Sequence, residues 1–202
     1  MVMAVLAAVI HRQQTGEGQY IDLSMTDAVF SMHALSGAEW LSGGEEPEAE
    51  SGMLNGGTLY DYYETRDGRW ISVGSLEPVF LKRLCLEMDL QEFEGIPLDD
   101  VKSQKRLKSK LRKAFKTRSF QEWIEIFQKT DACVEPVLKP SEAVYHPQLR
   151  EREMIGNVEN EIGDSIRQIA SPFRFSKTPV VPGFAGRKLG ADTLSVLRDL
   201  GW

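Results

Sequence analysis

The residues best suited to chemistry lie on either side of a predicted β-hairpin. Asn55-Gly56-Gly57 precedes Tyr60, and Ser75-Leu76-Glu77-Pro78 follows the returning strand. An antiparallel return would bring Glu77 near the start of the first strand, where a carboxylate facing a glycine loop can orient a base or bind a polar ligand group. Glu77 also fits a purely structural role, because an acidic residue stabilises the N-terminal end of a helix. The pattern alone leaves both interpretations open.

Metal binding and cysteine catalysis are not favoured by residue spacing. The histidines and cysteines are His11, His33, His146, Cys85 and Cys133. They fall in separate predicted elements without the spacing of metal ligands, so we expect no metal. Cys133 lies within a predicted strand, where a buried, unreactive thiol is expected. Gly16-Glu17-Gly18 lacks the third glycine of a dinucleotide-binding fingerprint.

The first block of the chain is predicted to be helix, strand and helix, an order typical of the end of an α/β domain. The apolar run Met1–Ile10 is about half the ~20 residues that a membrane span needs, and no positive charge precedes it as in a secretory signal. We expect it to be the second half of a buried helix, cut into at Met1 and leaving an exposed apolar patch. Gln19–Leu23 alternates like a short strand. A helix capped by Ser24 or Thr26 follows, with apolar positions at Ala28, Val29, Met32, Leu35 and Trp40.

A predicted domain boundary falls in the acidic, glycine-rich linker 43–57. After it, Leu59–Glu64 and Trp70–Gly74 are predicted to form a hairpin with Arg66-Asp67-Gly68 in the turn. Glu77-Pro78 then begins a helix, since proline is well tolerated in a first helical turn.

Residues 102–118 contain nine Lys or Arg and no acidic residue, with Leu107, Leu111 and Phe115 at four-residue spacing. This pattern predicts an amphipathic helix with a basic face. The basic face fits either a solvated surface that balances acidic segments or a surface that contacts phosphate, and both interpretations stay open. Ser119 and Glu122 form a capping box for a helix over 120–129.

The remaining segments are predicted from turn and strand signals. We expect a buried strand at Ala132–Leu138, a short helix capped by Ser141 around Val144–Arg152, two strands near 154–159 and 165–170, an extended connection over Ser171–Gly186 and a final helix at Asp192–Leu200.

Composition is that of an ordinary globular protein. The chain has 202 residues, 42% of them hydrophobic, and a formal net charge of −6. An acidic chain whose basic cluster carries no series of interleaved aromatic residues argues against nucleic acid and anionic membranes as partners. Two cysteines are too few for a disulfide framework and are typical of a reducing compartment, so we expect a cytoplasmic protein.

Four segments together resemble the class III CoA-transferase family, and within it the α-methylacyl-CoA racemases. They are TGEGQYIDLSMTDAV at 15–29, MLNGGTLYDYYETRDGRWISVGSLEPVF at 53–80, SFQEWIEIFQKTDACVEPVL at 119–138 and LGADTLSVLRDLG at 189–201. The resemblance implies an α/β fold: the end of a large α/β domain at 1–45, a small α+β domain at 46–170, and a C-terminal segment at 171–202 that returns to the large domain. It also implies an interlocked homodimer, with a coenzyme A thioester as substrate and no separate cofactor.

The resemblance also implies roles for particular residues. Glu77 matches the family glutamate that supports the catalytic histidine, and Leu54, Tyr60 and Leu76 match positions that line the acyl pocket, next to Gly56 and Gly57. The family's catalytic histidine and aspartate match no position among these 202 residues. We therefore expect a C-terminal part of an enzyme that racemises 2-methylacyl-CoA thioesters, inactive by itself. The alternatives are a CoA-transferase that moves CoA between carboxylic acids and a non-catalytic truncated module.

Overall fold

The computed structural model describes residues 1–34, 36–181, 183 and 185–202. The chain divides into two compact units, Met1–Glu135 and Pro136–Trp202. Both contain helices and small sheets, so the predicted mixture of helix and strand is confirmed at the level of fold class. None of the helices in the described ranges is both long and apolar enough to cross a membrane.

The first unit carries six helices, a short 3₁₀ helix at Gln91–Phe93 and a three-stranded sheet, counted over its described residues. The helices are α1 (Val2–Thr15), α2 (Met25–Ser31), α3 (Ser36–Leu41), α4 (Pro78–Glu87), α5 (Val101–Phe115) and α6 (Phe120–Phe127). The strands are β1 (Asp61–Glu64), β2 (Trp70–Val73) and β3 (Val134–Pro136), in that order across the sheet.

The three opening helices bury none of their described residues. Helix α1 ends as predicted at Gly16, whose φ of 81° is a left-handed conformation that suits glycine. Most of the large apolar side chains between Met1 and Ile10 are exposed, so the predicted exposed patch is confirmed. Ser24 caps α2 as predicted by accepting a hydrogen bond from the Asp27 N–H at 3.3 Å.

Two predictions for this block are wrong. The segment Gln19–Leu23 is not a strand, because a strand requires a hydrogen-bonded neighbour and no described strand pairs with it. The single helix predicted after Ser24 is two short helices, α2 and α3, separated by a turn. The apolar position predicted at Leu35 lies outside the described residues.

The hairpin forms as predicted and organises the core of the first unit. Strands β1 and β2 are antiparallel, with Asp61 opposite Val73 and Glu64 opposite Trp70. Gly68 in the turn has a φ of 74°, which explains the glycine there. From β1, Tyr63 stacks on Phe115 of α5, with ring centroids 5.2 Å apart. The fully buried residues of the unit include Leu59, Tyr63, Ile71, Leu84, Leu107, Leu111 and Phe115.

Helix α6 is tied to the hairpin turn by local capping. Ser119 and Glu122 form the predicted capping box. The Asp67 carboxylate accepts hydrogen bonds from the Thr65 hydroxyl at 2.6 Å and from the Phe120 N–H at 2.9 Å. Trp123 donates from its indole nitrogen to the Phe115 carbonyl at 2.8 Å within the aromatic core.

The second unit contains helices α7 (Pro140–Ala143), α8 (Pro147–Glu151) and α9 (Thr193–Asp199), and strands β4 (Ile155–Glu159) and β5 (Ser165–Ile169). The two strands form an antiparallel hairpin with Ile155 opposite Ile169, as predicted. The short helix predicted around Val144–Arg152 is present as α8, but its N-cap is His146, and the predicted cap Ser141 lies inside α7. Pro140 and Pro147 each begin a short helix, because proline has a favourable φ in the first turn and interrupts any longer helix.

Candidate functional site

The loop before the hairpin, residues 50–57, folds tightly on itself; we call it the glycine loop. The Asn55 and Gly57 N–H groups both donate to the Gly52 carbonyl, at 2.9 and 3.0 Å. Gly56 has a φ of 90°, and a side chain there would press on the carbonyl oxygen of Glu50. A side chain at Gly57 would overlap a backbone oxygen as well. Both glycines are therefore required by the shape of the loop.

The segment Gly74–Glu77 after β2 is held against the loop that leads into β3. The Gly74 N–H donates to the Cys133 carbonyl at 2.8 Å, and the Ser75 hydroxyl donates to the Ala132 carbonyl at 2.5 Å. Ser75 is fully buried. These two hydrogen bonds fix the backbone from which Glu77 projects.

Glu77 stands at the N-terminal end of α4. It has extended backbone angles, φ −72° and ψ 142°, and Pro78 is the first helical residue. Its side chain is exposed and makes no capping hydrogen bond to the helix. In a helix-capping role, the Glu77 carboxylate would accept hydrogen bonds from the free backbone N–H groups in the first turn of α4. This carboxylate is instead available to a group outside its own helix.

Cys133 corrects the prediction of a buried, unreactive thiol in a strand. The residue is exposed and precedes β3, with a φ of 51° that takes it out of the strand conformation. Partial desolvation, together with the negative charges of Glu77, Asp131 and Glu135, raises the pKa of the thiol. The raised pKa favours the protonated thiol at neutral pH.

Tyr60 lies beside this group of residues. A side-chain carbon added at Gly74 would lie 3.4 Å from a ring carbon of Tyr60 and 3.9 Å from the Cys133 Cβ. The structure therefore brings Tyr60, Gly74 and Cys133 together next to the segment that carries Glu77. Tyr60 is 39% exposed, so part of its ring can contact a ligand.

The other predicted binding residues are at the surface of the same unit. Leu54 is 59% exposed at the tip of the glycine loop, and Leu76 is half-buried between Ser75 and Glu77. No hydrogen bond or ion pair within the described part of the chain joins Glu77 to the glycine loop. The apolar residues thus present exposed surface without being linked to the carboxylate.

The basic helix α5 contributes a row of polar contacts to the same region. Gln104, fully buried, accepts a hydrogen bond from the Leu59 N–H at 3.2 Å. Lys108 donates to the Gly56 carbonyl at 2.8 Å and pairs with Asp61 at 2.8 Å. Arg112 reaches the same Asp61 oxygen at 3.3 Å. At least part of the basic face is therefore used inside the unit.

Ionisation of Asp61 is governed by these contacts. Partial burial opposes the charged form, but the hydrogen bonds from Lys108 and the Tyr62 N–H outweigh it, helped by the positive charges of Lys108 and Arg112. Together they hold the pKa of Asp61 below its usual range.

The histidines do not gather into a site. His11 and His33 are exposed on or beside the opening helices, and His146 caps α8 by accepting from the Gln148 N–H at 3.2 Å. Within the described residues, no group of three or more His, Cys, Asp or Glu side chains could hold a metal ion. A separate cavity of about 770 Å³ lies within the second unit, lined in part by Arg150, Phe173 and Phe175.

Comparison with known proteins identifies the family. The sequence profile of CoA-transferase family III matches residues 1–193. The chain belongs to CoA-transferase family III. It is 29% identical to alpha-methylacyl-CoA racemase from Homo sapiens, over 99% of this chain and 52% of that protein. It is 23% identical to succinyl-CoA:mesaconate CoA-transferase from Haloarcula marismortui, over 98% of this chain and 51% of that protein.

The fold agrees with this assignment. A crystal structure of a CAIB/BAIF family protein from Brucella suis matches 98% of this chain and 52% of its own, with a TM-score of 0.74 and 19% identity. The chain spans about half the length of the curated relatives that it matches. Racemases and CoA-transferases both occur among these family III relatives.

The sequence predicts no structural role for Ser75 or Lys108 in this family III chain, and it predicts the wrong environment for Cys133. Ser75 and Lys108 form hydrogen bonds to carbonyl groups that are 57 and 52 residues away in the sequence. Cys133 has a left-handed backbone conformation that no turn motif in the sequence predicts. Lys108 lies four residues after the buried Gln104 on α5. This spacing does not predict that Lys108 is buried, because the same spacing occurs on solvated helix faces.

Proposed function

We propose that the protein acts in the racemisation of 2-methylacyl-CoA thioesters. The observation that carries the proposal is the position of Glu77: an exposed carboxylate at the start of α4, without a capping bond, on a backbone held by Gly74 and Ser75. The likeness to alpha-methylacyl-CoA racemase over nearly the whole chain supports it.

The reaction needs a base on one face of the substrate and an acid on the other. The base removes the proton from the carbon next to the thioester carbonyl, and the C–H electron pair moves into an enolate. The acid then returns a proton to that carbon on the opposite face, which inverts its configuration. Hydrogen-bond donors at the carbonyl oxygen stabilise the enolate charge.

Within this proposal Glu77 is a positioning residue. Its carboxylate accepts a hydrogen bond from the N–H of the catalytic histidine, which fixes the ring orientation and stabilises the imidazolium formed after proton removal. His11, His33 and His146 do not match that histidine. We accordingly propose that the isolated 202 residues do not turn over acyl-CoA.

The acyl chain is proposed to lie on the apolar surface formed by Leu54, Tyr60 and Leu76, with Gly56 and Gly57 giving close access to the backbone. The exposure of Leu54 and Tyr60 supports this, because both present apolar surface that the first unit does not bury. The proposed domain arrangement is the end of a large α/β domain at 1–45, a small domain at 46–170 and a returning segment at 171–202. The interlocked homodimer and the cytoplasmic location are part of the same proposal.

The second candidate function is transfer of CoA between carboxylic acids, favoured by the likeness to succinyl-CoA:mesaconate CoA-transferase. There an enzyme aspartate attacks the thioester carbonyl to give a mixed anhydride and free CoA thiolate, and an acyl-CoA thioester is formed again later. This chemistry leaves the α-hydrogen of the substrate in place.

Deuterium exchange distinguishes the two reactions. An active form of the protein is incubated in ²H₂O with a single enantiomer of a 2-methylacyl-CoA, and the thioester is analysed by mass spectrometry and chiral separation. Deuterium at the α-carbon with loss of enantiomeric purity is the expected result. Transfer of CoA to an added free acid without exchange would replace the racemase proposal with the transferase.

A matched pair of variants tests the role of Glu77. In a form that turns over acyl-CoA, Glu77→Gln keeps the size of the side chain and is expected to lower kcat by about 10- to 100-fold, as the loss of a positioning carboxylate does. Glu125→Gln on the exposed face of α6 serves as control. Equal rates for both variants would reduce Glu77 to a surface acid.

A further inference from the structure

Lys108 is unusual because its charged side chain is buried. The residue is only 8% exposed, whereas lysine is almost never buried without a partner. Its neighbours on α5 at the same depth are the apolar Leu107 and Leu111. Taking an ammonium group out of water is costly, so its partners must be well placed to offset the desolvation.

Its two oxygen partners belong to two different segments. One is the Asp61 carboxylate in β1, at 2.8 Å, and the other is the Gly56 carbonyl in the glycine loop, at 2.8 Å. If Lys108 served only to link α5 to β1, a contact with Asp61 would be enough, and Arg112 of α5 already contacts that carboxylate. The added bond to Gly56 therefore fixes the glycine loop to the core.

The position of this bond within the loop matters. Gly56 is the residue with a φ of 90°, next to Gly57, whose N–H closes the loop on Gly52. Leu54 lies two residues before Gly56, and Tyr60 lies four residues after it. Movement of the Gly56 carbonyl would displace the apolar surface on both sides.

We propose that Lys108 is a positioning residue that holds the glycine loop in place and thereby sets the affinity for the acyl group. The effect of Lys108 on substrate affinity rests on the proposed function. Its effect on the loop stands on the contacts alone.

The test is Lys108→Met, with Lys110→Met as matched control. Methionine keeps most of the length and the apolar contacts of the lysine stem but has no ammonium group. Asp61 keeps Arg112 as a partner, so the fold is expected to persist. Lys110 lies on the same helix and is exposed.

The first measurement is hydrogen–deuterium exchange of the loop amides in the 202-residue chain. For Lys108→Met we expect exchange at Asn55 and Gly57 to speed up at least tenfold, with the amides of α4 and α6 unchanged. Lys110→Met should leave all of them unchanged. Unchanged loop amides, or equal acceleration in α4 and α6, would overturn the proposal, because Lys108 would then contribute only to overall stability.

A second variant covers the case in which Lys108→Met does not fold. Lys108→Gln retains a neutral hydrogen-bond donor, and exchange at the same two amides is expected to rise at least threefold. No increase in a folded Lys108→Gln protein would contradict the proposal.

The second measurement is steady-state kinetics in a form that turns over acyl-CoA. Lys108→Met should raise KM at least fivefold with kcat changed less than twofold, a split that a general loss of structure does not produce. An unchanged KM with a mobile loop would refute the effect on affinity. If no form of the unsubstituted protein exchanges the α-hydrogen or transfers CoA, the proposed function fails, while amide exchange still decides whether Lys108 holds the loop.

Discussion

Replacing Ser75 with alanine removes one hydroxyl from the segment that carries Glu77. The side chain is fully buried, and its hydroxyl donates to the Ala132 carbonyl at 2.5 Å. Alanine fits the same space and loses almost no apolar contact. The cost is the lost hydrogen bond together with a buried carbonyl that has one partner fewer, which amounts to about 1–3 kcal/mol in the free energy of unfolding.

Urea unfolding followed by circular dichroism measures this change. With a slope of about 2 kcal/mol per molar urea, the midpoint should fall by about 0.5–1.5 M for Ser75→Ala. Ser109→Ala, on the exposed side of α5, is the control and should shift the midpoint by no more than about 0.25 M. Exchange of the Gly74 amide should also speed up, because its bond to Cys133 depends on the same contact. Equal midpoints for the two variants would refute the claim that Ser75 holds the segment.

Three further predictions concern the surface of the same unit. Iodoacetamide should alkylate Cys133 more slowly at pH 8 than a free thiol, because the pKa of Cys133 is raised. Glu77→Gln removes one of the negative charges that raise this pKa and should speed the reaction about twofold, whereas the control Glu125→Gln should leave the rate unchanged. Gly57→Ala should accelerate exchange throughout the glycine loop, because the added carbon overlaps a backbone oxygen; unchanged exchange would contradict this. The exposed apolar residues 1–10 should cause self-association, which light scattering measures, and a monodisperse monomer would count against it.

Local signals were sufficient where one short segment contains the whole cause. The capping box of Ser119 and Glu122, the end of α1 at Gly16 and the hairpin turn at Gly68 each depend on residues within a few positions of one another. Such elements are determined by backbone conformation and by capping hydrogen bonds that form within one turn. The sequence therefore predicts their positions closely.

Prediction failed where the cause lies elsewhere in the chain. Gln19–Leu23 has the alternation of a strand, but alternation indicates only that a segment could be half-buried in a sheet. Without a described partner strand it remains irregular. Cys133 likewise has strand-forming neighbours, yet its φ of 51° exposes the thiol. Neither outcome follows from residue preferences.

The basic helix shows why part of the candidate site could not be read from the sequence. Nine positive charges with apolar residues every four positions predict helix α5 and its buried face. The same pattern cannot distinguish Lys108 from the exposed Lys110, because burial of a lysine depends on which acceptors lie opposite it. Here the acceptors are Asp61 and the Gly56 carbonyl, about 50 residues earlier in the chain. Only the pairing of β1 with α5 brings them within reach, so the polar contacts that hold the glycine loop follow from the tertiary fold.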